Sequence, residues 1–107
     1  MNRPNRGEVW IVDLGMAAKV RPCLILSIPI IDADRVLATV VPHTTSVRQS
    51  RFEVVVPTPF LKPGAFDVQN LISVPCAKLV RKIGQLSLSQ MLPIETAVNL
   101  WLGLSAP

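Results

Sequence analysis

Prolines cut this chain into short pieces. Ten of its 107 residues are proline. Each fixes φ and removes a backbone donor, so it halts a helix and confines a strand to an end, an edge or a bulge. Half the residues are apolar, mostly Val, Leu, Ile and Ala, while aromatics are 5% and Tyr is absent. β-branched side chains suit a pleated surface. Together these features predict sheets and turns in place of a helical bundle. The length predicts one domain over residues 1–107. A mean hydropathy of +0.43 exceeds what so small a body can bury, because its surface is large for its volume. A second protomer or a partner is expected to cover the surplus.

Between the prolines the pattern reads as strands. Arg6-Gly7 is a turn, and Glu8 to Leu14 is a first strand ending at Gly15. A short loop, Gly15 to Val20, leads into Arg21-Pro22, where Pro22 pushes Arg21 out of the helical region. Cys23 to Ile28 is a second strand, Arg35 to Val41 a third ended by Pro42, and Arg51 to Val56 a fourth. Residues 57–64 hold three prolines and a glycine and read as an irregular loop. Asn70–Val74 and Ala77–Val80 are one interrupted strand or two short ones. Strands at this spacing predict a small barrel or curled sheet.

The period then changes. Ser87 and Gln90 have capping-box spacing, but Pro93 is expected to break a helix begun there, which predicts a turn at 88–91 and the main helix at 93–103. Ile94, Ala97, Val98, Trp101 and Leu104 form its apolar stripe, and Leu100 and Leu102 widen the arc to about 200°. Either the helix sinks into a groove of its own barrel, or its spare flank meets a second protomer or partner.

Charge is unevenly spread. The net charge is +4, yet all eleven basic residues lie between Arg3 and Lys82, and Glu95 is the only charge after them. A basic body permits phosphate or nucleic-acid binding. Cys23, Cys76 and His43 are too dispersed for a dedicated zinc site. Acids at Glu8 and Asp13 precede any apolar run a secretory leader needs, so reduced thiols in the cytoplasm are expected. The longest apolar stretch is far short of the ~20 residues that cross a bilayer.

No P-loop, dinucleotide fingerprint or Ser/His/Asp signature is present. What remains is Arg21 at a loop-to-strand junction, the cluster His43-Thr44-Thr45-Ser46 at a strand end, and basic residues in or beside loops: Arg48, Arg51, Lys62, Lys78, Arg81 and Lys82. A guanidinium fork beside hydroxyl donors is a phosphate-recognition set. A lone His beside a Pro is otherwise an ordinary turn residue, and an Arg before a Pro an ordinary ion-pair residue.

Four segments in order carry a resemblance. Arg6-Gly7-Glu8-Val9-Trp10-Ile11-Val12-Asp13-Leu14, Arg21-Pro22-Cys23-Leu24-Ile25-Leu26-Ser27, Val40-Val41-Pro42-His43-Thr44-Thr45-Ser46 and Phe52-Glu53-Val54 resemble the strands and loops of the MazF/PemK toxins of bacterial toxin–antitoxin systems. The resemblance implies a mainly β, SH3-like barrel with a C-terminal α-helix, working as a cytoplasmic homodimer. It implies a metal-independent, cofactor-free endoribonuclease that cuts single-stranded RNA at short sequences, leaving 2′,3′-cyclic phosphate and 5′-hydroxyl ends. A cognate antitoxin is the implied protein partner. Arg21 matches the family's active-site arginine and Thr44 its threonine. Lys19, Thr45, Ser46, Arg48, Arg51, Lys62 and Lys78 are the expected RNA contacts, with Phe60 and Phe66 as stacking residues.

Two departures bear on the chemistry. The first loop, Gly15 to Val20, lacks the acid, Gln or His found in relatives, and the Asp/Glu-Gln pair of their fifth strand falls on Pro75-Cys76. His43 is then the side chain whose ordinary pKa suits proton transfer near neutrality, and it is expected to take part of that role. Strand alternation sets His43 and Thr44 on opposite faces, which opposes it unless the chain is already turning. The same departures leave two other readings: a catalytically impaired RNA- or protein-binding barrel, or a gyrase-poisoning toxin of the same fold like the CcdB proteins, whose C-terminal signature Leu100-Trp101-Leu102-Gly103-Leu104 echoes faintly.

Overall fold

A computed structural model of the chain describes residues 3–15 and 19–104; the middle of the short first loop lies outside these. The elements are β1 (Glu8–Asp13), β2 (Val20–Ile25), β3 (Leu37–Thr44), β4 (Glu53–Val54), β5 (Ala65–Asp67), β6 (Ile72–Pro75), β7 (Leu79–Gln85) and α1 (Leu88–Leu102), with single 3-10 turns at Val68–Asn70 and Cys76–Lys78. The fold is mainly β with one C-terminal helix.

All pairings are antiparallel and run in the order β4-β5-β3-β2-β1-β7, with β6 on β3. Among the described residues β7 and β4 do not pair, so the curled sheet is not closed into a barrel. β3 is the hub. On one edge Cys23, Leu24 and Ile25 of β2 face Pro42, Val41 and Val40. On the other, β6 pairs with Leu37 to Val40 and β5 with His43 and Thr44.

This arrangement explains why β3 runs through Pro42 to Thr44 instead of stopping at Val41. Pro42 stands opposite the gap between β6 and β5, where a missing N–H breaks neither pairing. Pro22 is tolerated likewise, since it pairs with Ile11 while the β2–β3 ladder begins at Cys23. The expected fourth strand shrinks to Glu53–Val54 because its one partner among the described residues, β5, is three residues long. β5 itself follows directly on the irregular loop 57–64, at residues whose pattern predicts no strand.

The helix begins at Leu88, five residues before the sequence-based start. Ser87 accepts from the Gln90 N–H while the Gln90 side chain accepts from the Ser87 N–H, a complete capping box. Pro93 removes only the bond to the Ser89 carbonyl, and Ser89 is exposed to water, so the cap outweighs the loss. At the other end Gly103 adopts φ 68° and closes the helix with N–H bonds from Gly103 to Leu100 and from Leu104 to Asn99, the Schellman arrangement. Met91, Ile94, Ala97 and Val98 pack with Val9, Leu24, Val41 and Phe66 in the larger core cluster. Leu88, Leu92, Leu100 and Leu102 stay exposed. Arg6 ties the helix to the sheet, donating to Glu95 and to the Leu26 carbonyl. Cys23 and Cys76 are separate buried thiols in a second cluster with Val12, Ile25 and Val40; burial pushes Cys23 up to about 12. No helix among the described residues is long and apolar enough to cross a membrane.

One buried carboxylate joins the first strand to the last. Burial would raise the pKa of Glu8, but the Asn5 N–H at 2.8 Å, the Trp10 indole at 3.0 Å and the Lys82 ammonium at 3.0 Å outweigh it and hold the group at about 2 against an ordinary 4.5. A depressed carboxylate stabilises the fold above its unfolded pKa and loses that contribution as pH falls through the folded value. Chemical denaturation should therefore show about 3 kcal/mol of stability lost between about pH 5 and pH 2. Glu8→Gln should be less stable at pH 7 and should lack that part of the acid slope.

Candidate active site

The cleft forms where β2 begins and β3 ends. Arg21 lies in β2 opposite Val12, and Thr44 is the last residue of β3, opposite Ala65. Together they border an open cleft of about 690 Å³. Lys19, Arg21, Lys62 and Arg81 bring four cationic groups to its walls, and Thr44, Thr45 and Ser46 bring three hydroxyls. Ile11, Val20, Pro22, Phe60, Leu61 and Ile83 supply the apolar lining. Among the described residues, no carboxylate lines this cleft. The site is therefore built for an anion with apolar parts.

Local structure fixes the key groups. The Thr44 hydroxyl accepts from the Ser46 N–H at 3.0 Å, which uses a lone pair and leaves the O–H proton to donate. Lys19 holds φ 55°, a left-handed conformation rare in non-glycine residues. Its N–H donates to the Gly15 carbonyl at 3.0 Å and its carbonyl accepts from Leu14 at 2.9 Å. The segment 45–50 is braced by Glu53, whose carboxylate accepts from the N–H groups of Arg48 and Ser50; these bonds lower its pKa.

His43 and Thr44 both border the cleft. Alternation still shows in their burial: His43 is 6% exposed and Thr44 half-buried. The two meet at the same opening because β3 ends there. The imidazole packs edge-on against Phe66, with centroids 5.1 Å apart. Burial lowers its pKa from the ordinary 6.5, so the ring is neutral at neutral pH and has a lone pair for a proton.

Two glycines allow the close approach of the surrounding elements. A Cβ on Gly64 would stand 2.1 Å from the Thr44 carbonyl oxygen and 2.8 Å from His43 Cε1. One on Gly84 would stand 2.5 Å from the Phe60 ring. The loop before β5 is thereby pressed onto the end of β3, and Phe60 onto β7.

The expected contact residues divide. Lys19, Arg21, His43, Thr44, Thr45, Ser46 and Lys62 converge on the cleft, and Arg48 lines a groove continuing from it. Arg51 is placed elsewhere, its guanidinium 4.6 Å above Phe52, which in turn packs 5.3 Å from Trp101 of α1. Lys78 sits on the 3-10 turn before β7, outside the cleft. Phe66 is fully buried and unavailable for stacking, whereas Phe60 borders the cleft. Arg81 was legible as a basic residue but not as a cleft residue, since its place depends on β7 pairing with β1. The neighbouring groove also carries Asp67, Gln69 and Asn70, so a carboxylate missing from the first loop is present beyond Arg21.

A curled antiparallel sheet and one C-terminal helix define a small β-domain with a cationic, hydroxyl-lined cleft at the end of its hub strand. The chain belongs to the PemK-like, MazF-like toxins of type II toxin–antitoxin systems, whose family model matches residues 5–102. Its structure is similar to an endoribonuclease in complex with its cognate antitoxin from a mycobacterial species (27% identity, 97% of this chain and 99% of that one, TM-score 0.82). It is also similar to the Mycobacterium tuberculosis toxin MazF-mt6 (30% identity, 92% and 99% covered, TM-score 0.79). The MazF of a MazE–MazF assembly from Deinococcus radiodurans shares the fold at 18% identity (98% and 100% covered, TM-score 0.81).

Proposed function

We propose that this chain is the toxin of a toxin–antitoxin pair and an endoribonuclease that cuts single-stranded RNA at particular short sequences. The observation that carries the reading is the cleft itself: four cations and three hydroxyls around Arg21 and Thr44, with no carboxylate among the described lining residues. A phosphodiester between two nucleosides offers the matching charge and apolar faces.

In the proposed reaction the ribose 2′-oxygen attacks the adjacent phosphorus. The O2′–P bond forms, the P–O5′ bond breaks, and the products are a 2′,3′-cyclic phosphate and a 5′-hydroxyl. Arg21 neutralises the charge that grows on the non-bridging oxygens, and Thr44 donates its O–H to one of them. His43, neutral at working pH, takes the 2′-hydroxyl proton; the leaving 5′-oxygen is protonated from water in the open cleft. Lys19, Lys62, Arg81, Thr45, Ser46 and Arg48 hold the flanking strand.

The reading places the protein in the cytoplasm as a homodimer, held by a cognate antitoxin when inactive. The exposed apolar residues of α1 give such partners a surface. Incubation of the purified protein with long RNA in EDTA is expected to give discrete fragments with 5′-hydroxyl ends; RNA left intact but bound would support the binding-barrel reading instead. The rate should rise with pH through a midpoint below the ordinary histidine value of 6.5. In His43→Ala that rise should vanish and the rate fall ~10²-fold. An unchanged rate and profile would remove His43 from the mechanism.

A further inference from the structure

Arg21, Thr44 and Ser46 line two depressions at once. On one side lies the cationic cleft. On the other a groove of about 400 Å³ runs past Arg48 and Ser50 to Asp67, Gln69 and Asn70. Arg21, Asp67 and Asn70 also border a notch of about 300 Å³ whose remaining walls are Leu14, Pro42 and Ile72. Asp67 and Asn70 therefore stand on a seam between a polar groove and an apolar notch, beside the arginine proposed to hold the reacting phosphate.

This combination fits one ligand chemistry. A phosphate track needs only cations and donors, and a carboxylate on it repels the strand. A base splayed from a single strand needs more: an apolar wall for its face and hydrogen-bonding groups for its edge. The seam supplies both. Asp67 accepts from the Asn70 side-chain N–H at 2.5 Å, which orients both groups. The carboxylate retains free lone pairs, and the Asn70 side-chain carbonyl is a second acceptor. Glu53, the other carboxylate of the groove, is committed to the backbone N–H groups of Arg48 and Ser50. The edge-reading acceptor is thus Asp67.

We infer that the Asp67–Asn70 seam is a base-selecting subsite for a nucleotide next to the cut, taking a base with an exocyclic amino group and rejecting uracil. Adenine, cytosine and guanine each carry that amino donor. Uracil presents its single N–H between two carbonyl oxygens, which would face the carboxylate. The inference rests on the endoribonuclease reading for the position of the cut, but the choice of base can be read from binding alone.

The test uses a randomised single-stranded RNA pool, sequenced both at the cut ends and in the fraction retained by the full-length protein. Wild type should deplete uracil about tenfold or more at one position adjacent to the cut. Asp67→Asn, whose amide also donates, should reduce that depletion to about threefold or less and leave preferences at other positions in place. Asn70→Ala should weaken it too, and reads the same seam if Asp67→Asn fails to fold. Cutting without uracil depletion, or depletion unchanged in both variants, overturns the inference and leaves the nuclease reading intact. Depletion in the retained RNA without cutting keeps the subsite and overturns the nuclease reading. Neither cutting nor retention overturns both.

Discussion

Arg21→Ala is expected to lower the rate of RNA cleavage by ~10²–10³-fold, the effect of deleting one preorganised group that stabilises developing charge. Arg21 is well placed for this. It opens onto the cationic cleft, the polar groove and the apolar notch, so among the described residues no other side chain borders as much of the proposed strand path. Its β2 position opposite Val12 sets the guanidinium on the rigid sheet and not on a mobile loop tip. Arg21→Lys keeps the charge but loses the two-pronged geometry, and should retain an intermediate rate. The measurement is the initial rate on a fluorogenic RNA, with thermal melting to show that each variant is folded. An Ala variant that cuts within about threefold of wild type would show that the remaining cations suffice.

Gly64→Ala should have the largest effect on stability. Its Cβ would meet a backbone oxygen, that of Thr44, at 2.1 Å, and a carbonyl held in the sheet cannot swing aside as a side chain can. Either β5 leaves the end of β3 or the end of β3 distorts. Overpacking of this kind costs on the order of 2–4 kcal/mol, which for a chain of this size lowers the melting temperature by roughly 10–20 °C. Because Thr44 and the His43 ring are the atoms struck, cleavage should fall as well, even at temperatures where the variant stays folded. A melting curve within a few degrees of wild type would mean that the 57–64 loop is not pinned as described.

These two residues mark what could and could not be read beforehand. Arg21 and Thr44 stand in segments whose wording carries a resemblance, so their partnership was legible even though 22 positions separate them. The strand sequence was also legible, because Pro and Gly punctuate it. Gly64 was not, since its constraint comes from a carbonyl twenty residues away. β5 was hidden for a related reason: three residues are too few to show alternation, and only pairing with β3 and β4 makes them a strand. Asp67, Gln69 and Asn70 inherited that concealment. The helix start departs from the proline rule because the capping box at Ser87 outweighs the single hydrogen bond that Pro93 removes. Residue type alone suits Arg51 and Phe66 to RNA, but the Arg51 guanidinium stacks on Phe52 away from the cleft, and Phe66 is buried against His43.

The contact between Phe60 and Gly84 has an evolutionary consequence. Any side chain at position 84 meets the Phe60 ring within 2.5 Å, and that ring is the end of a swinging side chain, so the result is eviction of the ring and not collapse of the sheet. The two positions are therefore epistatic. A larger residue at 84 is tolerated once residue 60 has become small, and the order of the two changes matters. A double variant that makes both changes exchanges an aromatic wall of the cleft for a side chain projecting from the edge strand. One pair of sites thereby couples a change in the last strand to the apolar lining of the cleft.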